Sequence, residues 1–219
     1  MAESQNEKYI NAKLQAVERK DTPVIARAHA MENRLPPGQR AVPKLVAMPP
    51  ITPTYPVIDK TNWRLIISGL VEIPEELNWE QFLQLPQQEY IVDFHCVTHW
   101  SKLDQVFTGV DLQNIFQRAK PHKTVKHVIF ASYDGYTTNV VYNELQNEVG
   151  FVAVTMNGEA IESKYGGPAR VVVPHLYGWK SAKFIHEIRF VSEDEPGFWE
   201  VRGYSNNAHP WSEERYSDE

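Results

Sequence analysis

The sequence predicts an α+β fold of mixed sheets with short helices, and three observations predict it. Apolar runs rich in β-branched and aromatic residues recur from residue 63 onward. The helical stretches between them are short. Strands and helices do not alternate regularly, which argues against a βαβ sheet.

Before that body lie two other textures. Residues 6–34 carry helix formers and no Gly, with Ile10, Leu14 and Val17 at helical spacing and Pro23 as an interruption. They predict an N-terminal helical extension over 1–34, with the main domain over 35–219. Residues 35–60 hold Pro36, Pro37, Pro43, Pro49, Pro50, Pro53 and Pro56. Proline cannot donate to a ladder, so this stretch is read as an extended, irregular arm.

Trp63 to Gly69 is the first strand candidate. Asn78 is placed to cap a short helix through Leu85, with Trp79, Phe82 and Leu83 on one face. Tyr90 to His95 is a strand that ends at Cys96. Lys102 and Asp104 read as a solvated loop. Asp111 opens a helix striped by Leu112, Ile115 and Phe116, and His127 to Ala131 is the next strand. Phe151 to Met156 meets Asn157-Gly158, a type I′ hairpin signal. Ala169 to Val173 and Phe184 to Phe190 are further strands, and the tail from Pro196 shows no clear period.

Composition excludes some functions. The chain has 219 residues, is 42% hydrophobic and 23% charged, and carries a formal charge of −6. No Lys/Arg block provides the clustered cations that nucleic-acid binding needs. No apolar run reaches the length of a membrane span. The N-terminus lacks a secretory layout, so a cytoplasmic chain is expected.

One cysteine, Cys96, leaves no intramolecular disulfide and no Cys-rich zinc site. A lone cysteine is commonly a small buried hydrophobe. Its surroundings point elsewhere. Asp93-Phe94-His95-Cys96-Val97-Thr98-His99-Trp100-Ser101 runs a strand into a Cys between two histidines. A strand end holds a metal ligand rigidly, and a thiolate suits a soft metal. A single protein thiolate needs other ligands, which a cofactor can supply. Two further stretches carry polar groups. Ser132 to Asn139, including Thr138, is a hydroxyl-dense turn that fits either a polar ligand or an ordinary surface. Arg170, Lys180, Ser181 and Lys183 follow Gly166-Gly167-Pro168 and fit either a phosphate ester or a solvated basic edge.

Together these stretches resemble the molybdopterin-binding domain of sulfite oxidases and bacterial methionine-sulfoxide reductase catalytic subunits. Cys96 with Trp100-Ser101, Gly167-Pro168-Ala169-Arg170-Val171-Val172-Val173-Pro174 and Tyr177-Gly178-Trp179-Lys180-Ser181-Ala182-Lys183 carry the resemblance. Leu35-Pro36-Pro37-Gly38-Gln39 and Pro196-Gly197-Phe198-Trp199-Glu200 extend it to small bacterial sulfite oxidase-like proteins. It implies a sulfite-oxidase-type catalytic domain that binds molybdenum through one molybdopterin dithiolene and Cys96. It also implies two-electron oxygen-atom transfer on a small S- or N-oxide or sulfite-like substrate. The cofactor phosphate would meet Arg170, Ser181 and Lys183, with Lys180 and Ala182 in the same turn. Tyr55, His95, Ser132 and Thr138 would add pterin contacts.

The chain also departs from the family. Sulfite oxidases follow the Cys with arginines; here Val97-Thr98-His99-Trp100 stands. The reductase branch has an acidic residue where Thr98 stands. Sulfite, a compact dianion, binds poorly without fixed cations. His99 and His175 are candidates for partial charge or proton handling, beside the plain reading of each as a packing or surface histidine. Trp100 reads as a pocket wall or core residue. No haem-domain landmark and no dimerisation domain are seen, so a separate electron-transfer protein is expected. A non-catalytic molybdopterin- or anion-binding module, or a structural interaction protein with Cys96 as core, is the alternative.

Overall fold

The computed structural model describes residues 34–217, and the helical extension expected over 1–34 lies, but for Arg34, outside them. Two sheets form the body. The first holds β1 (Arg40–Ala41), β4 (Gln87–Cys96), β5 (Trp100–Asp111), β8 (Phe151–Met156), β9 (Glu159–Ala160) and β10 (Arg170–Val172). The second runs in the order β3 (Glu75–Asn78), β2 (Arg64–Gly69), β11 (Ile185–Val191), β6 (His127–Ser132), β7 (Thr137–Val141). β11 is parallel to β2 and antiparallel to β6, so the second sheet is mixed.

Alternation explains the sheet faces. Along β2, Leu65 and Ile67 are fully buried while their neighbours are half-buried, and Trp63 just ahead continues the inward row. Along β4 the inward set is Tyr90, Val92 and Phe94. Tyr90 stacks on Phe151 of β8, ring centroids 3.9 Å apart.

β4 and β5 form a long antiparallel hairpin whose tip, residues 97–99, follows Cys96 directly. Lys102 and Asp104, expected in a loop, lie within β5. The sequence misleads here because the ladder is bulged. Val92 pairs with Gln105 and Phe94 with Lys102, so Leu103 and Asp104 oppose Asp93 alone. Asp104 takes φ 52°, which breaks the two-residue period. Arg34 ties both sides of the bulge, reaching Asp93 and, at 2.8 Å, Asp104.

The hairpin's far half packs on β8 through a tight crossing. A Cβ on Gly109 would lie 2.2 Å from the Val152 carbonyl oxygen. Gly109→Ala must push β5 and β8 apart. It is expected to cost about 3 kcal/mol, the upper end for overpacking, read as a lowered thermal unfolding midpoint. An unchanged midpoint would show that the ladder yields freely.

Among the described residues, three short α-helices pack beside the sheets. α1 (Trp79–Leu83) is capped by Asn78, whose side chain accepts the Gln81 N–H while Gln81 reciprocates. It stops two residues before the expected Leu85, and Leu83 turns outward at 41% exposure, leaving Phe82 as the buried anchor. α2 (Leu112–Ala119) buries Leu112, Ile115 and Phe116 behind an Asp111 cap, as its stripe predicts. α3 (Tyr142–Asn147) has no side-chain cap, so nothing in the sequence announces it. Asn157 and Gly158, at φ 55° and 81°, make the expected tight turn between β8 and β9. Among the described residues no helix is long and apolar enough to cross a membrane.

Candidate active site

A cavity of about 470 Å³ opens between the arm and the ends of the two sheets. The proline-rich arm covers one side with Leu45, Met48 and Ile51. The β4–β5 tip supplies Cys96, Val97 and Thr98. Its floor is Arg170 from the start of β10, followed by Ser181 and Lys183. The turn between β6 and β7 adds Asp134 and Tyr136, and the tail adds an aromatic wall that includes Trp199 and Tyr204. The lining is thus apolar around a few convergent polar groups, the usual make-up of a ligand site.

Cys96 is 7% exposed and its Sγ lies 3.2 Å from the Thr98 hydroxyl. Burial pushes the thiol pKa up; the Thr98 hydrogen bond and the charges of Arg215 and Lys183 pull against that. The tip is strapped from outside. Gln39 on the arm donates Nε2 to the Cys96 carbonyl at 2.9 Å, and Arg215 on the tail donates to the Val97 carbonyl at 2.7 Å.

The cations on the floor are the unusual feature. Arg170 is 3% exposed, and its guanidinium donates only to carbonyls: Val171 at 3.3 Å, Tyr165 at 2.8 Å and Ser181 at 3.0 Å. Burial lowers its pKa to about 10. Lys183 donates to the carbonyls of Met48 and, at 3.3 Å, Lys164. Burial, then repulsion from Arg170, lowers its pKa to about 7. Neither cation has a carboxylate within ion-pair distance among the described residues. A buried and a half-buried cation, with Asp134 of the same lining as their nearest opposing charge, are costly unless an anion joins them. Ser181 Oγ accepts the Val173 N–H at 2.9 Å and keeps its own proton to donate. Trp100 also lines the cavity, and its buried indole N–H has no partner. Two cations that bond only to carbonyls and a hydroxyl with its proton left to donate fit a phosphate-bearing cofactor beside Cys96.

The structure brings Cys96, Arg170, Ser181 and Lys183 together and places the other expected residues apart from that cavity wall. Lys180 is fully buried and turned to Glu200, 2.7 Å away, and to Asn139. Thr138 donates to the same Glu200 oxygen at 2.8 Å. Ala182 is 1% exposed, and its carbonyl accepts the Val171 N–H. Ser132 closes β6 just ahead of the Asp134 turn, its buried hydroxyl without a partner. Tyr55 is half-buried further along the arm. His95 points behind the tip and bonds Ser101 at 2.8 Å; burial holds its pKa at about 4, so it is neutral near pH 7. His99 is exposed at the tip, with Nδ1 3.2 Å from the Gly38 carbonyl.

His175 sits with His209 around Glu144 of α3, at 3.7 and 3.4 Å. Burial opposes ionisation of Glu144, yet the two imidazoles outweigh it and hold its pKa at about 2. Glu144 in turn raises the pKa of His209.

Gln39, Arg215 and the aromatic tail residues escaped the sequence reading as site residues. Gln39 ends the Leu35-Pro36-Pro37-Gly38-Gln39 stretch, where residue type and spacing indicate no contact to the cysteine. Arg215 stands in a tail without period, and no local signal marks it.

Comparison with known proteins identifies a matching family. The family described as "Oxidoreductase molybdopterin binding domain" matches residues 52–199. The "Uncharacterized oxidoreductase YuiH" of Bacillus subtilis (strain 168) is 36% identical over 193 residues, covering 84% of this chain and 92% of that protein. The "Protein-methionine-sulfoxide reductase catalytic subunit MsrP" of Campylobacter jejuni is 32% identical over 156 residues, covering 64% of this chain and 52% of that protein. The chain thus spans about half the length of that reductase subunit. In fold, it is similar to the sulfane dehydrogenase SoxCD from Paracoccus pantotrophus, with a TM-score of 0.58 at 20% identity, covering 64% of this chain and 41% of that one.

Proposed function

The chain belongs to the oxidoreductase molybdopterin-binding domain family of the sulfite oxidase superfamily, a molybdenum–molybdopterin enzyme family, and on that premise we propose that it transfers an oxygen atom to or from sulfur in a small substrate. One observation carries the reading: a protected thiol and two cations without an ion-paired carboxylate among the described residues face the same cavity. When bound, the molybdenum cofactor supplies a two-electron couple at which oxygen is exchanged between substrate and water.

The residues divide the work. Cys96 supplies the thiolate, and the hairpin tip fixes its direction. Thr98 offers a hydroxyl to Sγ. Arg170, Lys183 and Ser181 hold the phosphate, and the anion in turn favours the charged form of Lys183. Phe94, Val97 and the arm exclude water around the thiolate. That wall supports a neutral S-oxide over sulfite, because the floor cations are committed to the phosphate and no further fixed cation lines the cavity among the described residues. The names of the reductase and dehydrogenase relatives support sulfur as the reacting atom. Electrons pass to or from a separate protein.

Protein purified from a molybdenum-replete host should carry about one molybdenum and one pterin per chain and reduce a sulfoxide with an artificial donor faster than it oxidises sulfite. Arg170→Ala should lower pterin occupancy about tenfold, as loss of one charge-assisted contact predicts. Unchanged occupancy would move the phosphate elsewhere, and faster sulfite oxidation would reverse the substrate assignment.

A further inference from the structure

We propose that Gln39 and Arg215 are positioning residues for the Cys96 thiolate, supplied by two segments that lie outside the matched family core of residues 52–199. The inference rests on Cys96 being the metal ligand. The tip that carries it is only residues 97–99 between two strands, and His99 there adopts φ 65°. Such a turn has few bonds of its own; the His99 N–H reaches the Cys96 carbonyl at 3.2 Å.

The other restraints come from the flanks. Gln39 donates to the Cys96 carbonyl at 2.9 Å, and the Arg40 N–H to the His99 carbonyl at 3.1 Å. From the opposite side, Arg215 donates to the Val97 carbonyl at 2.7 Å and to the Pro37 carbonyl at 3.3 Å. Arg215 is 5% exposed and lies over the Tyr177 ring, 4.9 Å from its centroid. It therefore binds arm, tip and tail at once. The Gln39 bond acts on the peptide group of Cys96 itself and the Arg215 bond on the next one, so together they restrain how the Cβ–Sγ bond points into the cavity. A metal–thiolate bond depends on that direction, and outer hydrogen bonds to a ligand's surroundings tune its electron donation.

Arg215→Met, Arg215→Lys and Gln39→Met, made in the molybdenum-loaded full chain, test this by the Mo(V) electron paramagnetic resonance spectrum and the metal midpoint potential. Both methionine variants are expected to shift the spectrum and the potential while retaining molybdenum. Turnover should fall roughly 10-fold in kcat, with KM within about twofold, since the substrate wall is untouched. Arg215→Lys keeps the charge and one donor, and should recover part of the potential shift. Gln39 is half-buried and makes one bond to the tip, so its variant decides the matter if Arg215→Met fails to fold. Loaded variants with the parent spectrum and potential would overturn the inference alone. A parent chain that takes up no molybdenum would overturn it together with the proposed function.

Discussion

Cys96→Ser is expected to leave a folded, pterin-containing protein whose turnover is reduced about 100-fold or more, an effect of roughly 2.7 kcal/mol on the barrier. The substitution is nearly isosteric, so the packing of the tip survives. The loop bonds run through backbone carbonyls, and the exchange of sulfur for oxygen leaves them intact. Arg170, Lys183 and Ser181 still face the cavity and still hold the cofactor by its phosphate. What changes is the ligand atom: a soft sulfur becomes a hard hydroxyl that stays protonated near neutral pH. Loss of turnover with retained pterin fluorescence and an unchanged thermal midpoint is the expected pattern. Comparable turnover in parent and variant would sink the assignment of Cys96. Loss of pterin along with activity would show that the thiolate, not the phosphate floor, retains the cofactor.

That separation of roles was partly legible in the sequence. Cys96 was visible because the Tyr90 to His95 run is a strand by pattern and the cysteine follows it. Arg170 and Lys183 were visible because a Gly-Pro turn and a Gly turn bracket them. The same local logic predicted β2, β6, β8, β11 and the Asp111-capped helix, whose patterns are regular. It failed where tertiary pairing overrides local texture. β5 is broken by the Asp104 bulge, so its polar residues mimic a loop. β3 reads Glu75-Glu76-Leu77-Asn78 and is a strand only because β2 lies beside it. Side-chain direction was the least legible property. Lys180 and Lys183 stand three residues apart after one turn, and the sequence offered both to the same anion. The 3-10 turn at Gly178–Lys180 sends Lys180 into the core, and Lys183 reaches the arm instead.

The largest stability effect is accordingly expected at Lys180. Its ammonium and the Glu200 carboxylate are both shut off from water, at 0% and 2% side-chain exposure, and stand 2.7 Å apart. Burial lowers the Lys180 pKa, and Glu200 raises it again. With three acceptors around Nζ, the charged form is the one the geometry supports. Lys180→Met removes the cation and leaves Glu200 with hydrogen bonds only from Thr138 and Trp179, while its second oxygen already has none. An orphaned buried carboxylate costs about 3–5 kcal/mol, a large share of the stability of an ordinary domain. Denaturant unfolding should register that loss, and adding Glu200→Gln should restore most of it by removing the stranded charge. A phosphate contact predicts a different pattern. If Lys180 held the cofactor, Lys180→Met would empty the pterin site at nearly constant stability, and the second substitution would repair nothing. Recovery of stability in the double variant therefore identifies Lys180 as the internal counter-ion of Glu200. It would also tie the aromatic wall of the cavity, through the Trp179 indole on that same carboxylate, to a buried charge pair rather than to the ligand.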